Sequence, residues 1–135
     1  MQAANLIGHA VLTEGKTLTL GTNGAVGGVS LASAADSVKV TVMDSFGNTV
    51  QTVDLGKLDA GTSNFVWDGK DSKGNAMATT ETYTFKVEAT ASGKDVTATT
   101  LHAQEVNAVT LNSDGMKLEL SDGTKVSYDK VKQIL

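Results

Sequence analysis

Alternation of apolar and polar residues with period two runs through most of this chain, and it is cleanest in residues 82–91, TYTFKVEATA. On a strand, Tyr83, Phe85, Val87 and Ala89 share one face, while Thr82, Thr84, Lys86 and Glu88 share the other, so one side is buried and one is wet. SVKVTVMD repeats the pattern, with Val38, Val40 and Val42 inward and Lys39 and Thr41 outward. SFGN follows it, where Gly47 and Asn48 supply the positive φ of a tight hairpin leading into TVQTVDL. NFVW is the next strand. After TYTFKVEATA, a turn at Ser92-Gly93 leads to DVTATT, with Val96 and Ala98 inward. Upstream, Ala10, Leu12, Thr17 and Thr19 flank Glu14-Gly15, which predicts a hairpin whose second strand is KTLTL. Residues 2–8, QAANLIG, read either as a short helical turn closed by Gly8 or as a lead into the first strand.

Past Thr100 the rhythm lengthens. LHAQEVNAVTL predicts a long strand bending near Asn107, followed by short strands punctuated at Asp114-Gly115 and Asp122-Gly123. Leu118, Leu120, Val126 and Tyr128 form their buried row. Val131, Ile134 and Leu135 fall at helical spacing behind Asp129, an N-cap candidate, and predict a terminal helical turn plugging a small barrel. Neither chain end carries enough strands to fold alone, so each is expected to complete the other. The organisation predicted is discontinuous: residues 1–22 and 101–135 make the barrel and 23–100 make a sandwich inserted between them. Gly21 to Gly24 and Thr99 to Leu101 are the expected hinge.

Composition sharpens this to an all-β class. Aromatics make up 4% of 135 residues and the apolar 40% is rich in Val, which suits a thin core of β-branched side chains. The net charge is −4, and all eleven basic residues are Lys, so no guanidinium fork grips phosphate and nucleic acid is not an expected partner. Without cysteine there is neither disulfide nor thiolate ligand. No apolar run approaches the roughly 18 residues that span a bilayer, so no membrane partner is expected. MQAANLIG reads as the middle of a longer protein.

Candidate chemistry is sparse. Residues 64–75, NFVWDGKDSKGN, hold the only Trp and then turn polar. Counted from Asp68 as a calcium loop, positions three, five and six are Lys70, Ser72 and Lys73, and position twelve is Thr79 where Glu is needed. A turn at the sandwich rim is the expectation, with no metal site. His9 and His102 are the only histidines, and zinc catalysis needs three clustered ligands, so both are expected to be ordinary strand or boundary residues. There is no G-x-S-x-G elbow, and nothing around Asp68 and Asp71 would separate their pKa values for acid–base work. VGGVSLAS, residues 26–33, lacks the Lys and following helix of a phosphate cradle. No catalytic, cofactor-binding or metal-binding residues are expected, and the protein is expected not to be an enzyme. Edge strands such as DVTATT are suited to docking another chain, though their threonines equally serve as β-formers on a wet face.

The ordered combination of QAANLIGHAV (2–11), VTVMDSFGNTV (40–50), AGTSNFVWDGKDSKGN (60–75), TYTFKVEA (82–89) and LELSDGTKVSYDKVKQI (118–134) resembles the carboxy-terminal region of the bacterial flagellar hook-capping (FlgD) family, over essentially the whole chain. The resemblance implies a fibronectin type III/immunoglobulin-like sandwich inserted into a small Tudor-like β-barrel, without the family's amino-terminal export segment. It implies a homo-oligomeric scaffold, exported through the flagellar type III apparatus, that caps the distal end of the growing hook and guides hook protein subunits. The alternative is a carbohydrate-binding or adhesive immunoglobulin-like module of a secreted protein. A flat, exposed Trp67 ring would favour the sugar reading, and a packed one the structural role.

Overall fold

The computed structural model describes residues 3–135. Among them are twelve strands and two 3-10 turns, with no α-helix. The strands are β1 (Ala10–Glu14), β2 (Thr17–Leu18), β3 (Ala25–Leu31), β4 (Ala35–Met43), β5 (Thr49–Leu58) and β6 (Gly61–Trp67). They continue as β7 (Tyr83–Ala91), β8 (Lys94–Asp95), β9 (Ala98–Asn112), β10 (Gly115–Leu120), β11 (Lys125–Ser127) and β12 (Gln133–Ile134). The fold is all-β, with every ladder antiparallel and two sheets facing each other across an immunoglobulin-like core.

One sheet has the order β2-β7-β4-β5, with β8 on β7. Its alternation is the one read from sequence: Val38, Val40, Val42, Tyr83 and Phe85 are buried. The opposing β3–β6 pair contributes Phe65 and Trp67, and Leu18 and Leu20 close the end of the core. Edge-to-face contacts order the large rings. Phe65 meets Phe85 at 5.2 Å and 73°, and Trp67 meets Tyr83 at 5.0 Å and 66°, geometries that ring quadrupoles favour.

The second sheet runs β11-β10-β9-β1-β12, with β3 joined to β9 and β6 to β3. A flat sheet of five strands is about 19 Å wide between its outer strands. The link from β11 to β12 contains a 3-10 turn over Tyr128–Lys130, with only about 2 Å rise per residue, and cannot lie across that width. The sheet therefore curls around Val11, Val106, Leu118 and Leu120. Val11 lies opposite Ile134, and the Leu135 amide donates to the Ala10 carbonyl at 2.8 Å, so the two ends of the chain share one body.

Several expectations need correction. β1 and β2 are not a hairpin: β1 pairs β9 and β12, whereas β2 pairs β7, Thr17 opposite Thr84. The reason is competition between cores, because Leu12 is buried on the curled sheet while Leu18 belongs to the sandwich. The carboxy-terminal tail is not a helical turn over Val131–Leu135 but a 3-10 turn followed by β12; Ser127 occupies the N-cap position, not Asp129. At the other end the 3-10 turn Ala3–Leu6 packs Leu6 into the core of the curled sheet. In the β4–β5 turn only Gly47 has positive φ, at 83°; Asn48 does not.

β9 couples the two halves. Its residues 98–102 pair with β3, 101–105 with β1 and 106–112 with β10, so Leu101 and His102 are bonded into a ladder on both sides. Thr99 to Leu101, the expected hinge, thus lie inside a continuous strand.

Candidate functional site

The loop end of the sandwich is where sequence placed the informative residues. Trp67 ends β6 and is 1% exposed, and its Nε1 donates to the Lys70 carbonyl at 2.9 Å. The ring is packed beneath the loop, with no face left for a sugar, so the observation named as deciding between the two readings favours the structural one. Tyr83, against it, donates its hydroxyl to the Ala78 carbonyl at 2.5 Å.

The carboxylates of the loop brace its own backbone. Asp68 Oδ1 accepts the Lys70 amide at 3.0 Å, and Asp71 Oδ1 accepts the amides of Lys73 and Asn75, both at 2.9 Å. The Asn75 amide bond holds the Asp71 carboxyl below the usual range, against a smaller opposing effect of desolvation. These are Asx turns, in which a side chain replaces a turn's backbone acceptor.

The histidines are not brought together. His9 is exposed just before Ala10, which faces Glu105, whereas His102 faces Thr13, a separation on the order of 10 Å along the ladder. His102 is half-buried, with its ring against Gly15: a Cβ there would fall 2.6 Å from three ring atoms. Its Nδ1 is buried without a hydrogen-bond partner. Burial lowers the imidazole pKa from 6.5, and the nearby Asp122 carboxylate opposes that shift. Desolvation pulls Asp122 upward, but the Thr124 hydroxyl and amide bonds outweigh it, and the net shift is downward.

Sequence reasoning missed the role of the glycine pair in VGGVSLAS. A Cβ on Gly27 would lie 2.6 Å from Phe65 Cζ, and one on Gly28 would lie 2.7 Å from Leu12 Cδ1. Gly27 thus admits the sandwich core on one face of β3, and Gly28 admits Leu12 of the curled sheet on the other. The available signal was two adjacent glycines inside a strand, which marks close approach of other atoms. Thr99 and Thr100 of DVTATT pair with Ser30 and Val29. Among the described residues, no three His, Asp or Glu side chains group as a metal site would require.

These features define an immunoglobulin-like sandwich joined through a shared strand to a small curled sheet, with polar turns at its rim. The profile of the FlgD Ig-like domain matches residues 15–93, and the chain belongs to the FlgD family. It is 35% identical over its whole length to the basal-body rod modification protein FlgD of Escherichia coli and 34% to that of Salmonella typhimurium. It spans 62% and 61% of the length of these relatives. The crystal structure of FlgD from Xanthomonas campestris, described as bearing on the hook capping essential for flagellar assembly, aligns with a TM-score of 0.75 at 28% identity. That alignment covers 98% of this chain and 96% of that one. FlgD from P. aeruginosa aligns at 0.74 and 30% identity, covering 96% and 98%.

Proposed function

We propose that this chain acts as a non-enzymatic scaffold in flagellar hook assembly, which caps the distal end of the growing hook and guides hook protein subunits into place. The observation that carries the reading is family membership together with whole-chain similarity to solved FlgD structures, one of them described in terms of hook capping. The architecture suits that role, because polar strand edges and rigid turns offer contacts that can be made and broken repeatedly. The scaffold acts as a homo-oligomer and reaches the hook tip through the flagellar type III export apparatus. A cysteine-free chain passes that route with no covalent cross-link to undo.

The discontinuous organisation belongs to the same proposal, with its first boundary moved from residue 22 to Gly15, because β1 pairs within the curled sheet and β2 pairs with β7 of the sandwich. Deleting the gene in its motile host and examining the flagella tests the function. Hooks should be missing or misassembled and should return when the gene is restored. Normal hooks in the deletion strain would end the proposal.

A further inference from the structure

The chain builds the same five-residue loop twice. Residues 44–48, DSFGN, join β4 to β5, and residues 71–75, DSKGN, lie between β6 and β7. In each loop the Asp amide donates to the Asn carbonyl at 2.9 Å, and the Gly amide donates back to the Asp carbonyl at 3.1 Å. In each, Asp Oδ1 accepts the amides of the third and fifth residues at 2.9 to 3.0 Å, and the Asn side-chain amide reaches Oδ2, at 3.5 Å and 3.2 Å. The glycines have φ of 83° and 87°. Position three gives these bonds only its backbone.

That makes the second loop an internal control for the first. Lys73 fills position three without altering a bond, so nothing in the loop's construction asks for Phe46. Yet Phe46 is 83% exposed, more than any other large apolar side chain among the described residues. An aromatic ring held in water on an already ordered loop has the attributes of an interface anchor, because little further ordering accompanies its burial.

A surface with complementary chemistry lies at the same end of the sandwich. β5 pairs only with β4, and β6 only with β3, so two edge strands flank a groove of about 340 Å³. Val53 and the 60% exposed Val66 give it apolar surface, and Asp54 and Asp68 give it charge. Each carboxylate bonds one oxygen to a backbone amide, Gly56 and Lys70 respectively, and keeps a second for an incoming donor. The paired loops are tied to this edge: Gln51 Nε2 donates to the Asp71 carbonyl at 3.1 Å, and the Ser72 amide to the Val50 carbonyl at 3.0 Å.

We infer that Phe46 and Lys73 of one copy dock into the β5–β6 groove of a second copy, ring on Val66 and ammonium beside Asp54 and Asp68. Charge complementarity selects this occupant: an apolar-cationic tip matches an apolar-anionic groove on the same chain. The inference rests on the homo-oligomeric reading above and gives that reading a surface.

Sedimentation velocity on the 135-residue chain, at concentrations up to about 1 mM, tests it in a range that detects weak association. The wild-type chain should self-associate. Phe46→Ala and Val66→Asp should each weaken association about 10- to 100-fold, the loss expected from one buried apolar side chain. Both positions are exposed, so folding should be unaffected. An equimolar mixture of the two variants should regain affinity, because the intact groove of one accepts the intact tip of the other. A wild-type chain that stays monomeric, variants that associate like wild type, or a mixture no tighter than its components would each overturn the inference. Monomeric behaviour alongside hookless deletion mutants would defeat this contact alone, and would direct attention to a hook subunit as the partner of Phe46.

Discussion

Trp67 and Gly28 show how single positions hold this fold, from opposite directions of size. Trp67 fills the sandwich end and donates one internal hydrogen bond, so Trp67→Ala should lose about 3–5 kcal/mol in urea denaturation. Gly28→Ala places a methyl within 2.7 Å of Leu12 and 3.2 Å of the Ser63 carbonyl, and should cost about 1–3 kcal/mol. Leu12→Ala in the same background should recover part of that loss, a coupling read from a double-mutant cycle. His102 adds a pH dependence. Its folded pKa lies below the 6.5 of the unfolded chain, so below pH 6.5 the unfolded state binds more protons. Its contribution to stability is complete above pH 6.5 and lost as the pH falls through the folded-state value. Urea midpoints of His102→Gln should therefore change less than wild type between about pH 7.5 and 5.5; equal slopes would refute the assignment. The shared face of Phe65 and Trp67 was legible in the sequence through alternation, which left open whether the Trp67 ring is packed or exposed. The unpartnered Nδ1 of His102 was not, because it depends on Gly15 and the 121–124 turn arriving from distant parts of the chain.

The strands themselves are the most legible level, and their partners the least. Val38, Val40 and Val42 declare one buried face because alternation is local chemistry. KTLTL was equally clear as a half-buried strand, yet its partner is β7 rather than β1, since Leu12 and Leu18 are drawn into different cores and no local signal records which. The tail misled for a related reason. Val131, Ile134 and Leu135 fit a helical stripe, but the free edge of β1 recruits Gln133 and Ile134 as a strand, and ladder bonds outweigh a spacing of three residues. Two consequences can be measured. Truncation after Lys132 removes β12 and the Ile134 packing, and should lower stability by about 1–3 kcal/mol while exposing β1 as a free edge. Asp71→Ala should speed amide exchange at Lys73 and Asn75 and leave Phe46 and Asn48 unchanged, since Asp44 independently holds the sister loop. Parallel acceleration in both loops would show that they are one unit.

At the scale of the molecule, the question is whether the sandwich and the curled sheet behave as two bodies or one. Glycines at 21 and 24 and a polar run at 99–100 suggest a hinge when read locally. β9 argues otherwise, because Leu101 and His102 pair on both sides, with Glu14 and Thr13 in one ladder and Gly28 and Gly27 in the other. Bending there requires breaking two ladders and withdrawing Leu12 from its notch at Gly28, contacts too numerous to open as a thermal hinge. Such a junction also couples stabilities, since neither half keeps its central strand once the other unfolds. Calorimetry should accordingly give a single transition whose van't Hoff enthalpy matches the calorimetric one. Leu101→Ala, a fully buried truncation at the shared strand, should cost about 2–5 kcal/mol and shift that single transition without splitting it. Two resolved transitions, or an unfolded curled sheet beside a folded sandwich, would mean that β9 is shared in geometry but not in energy.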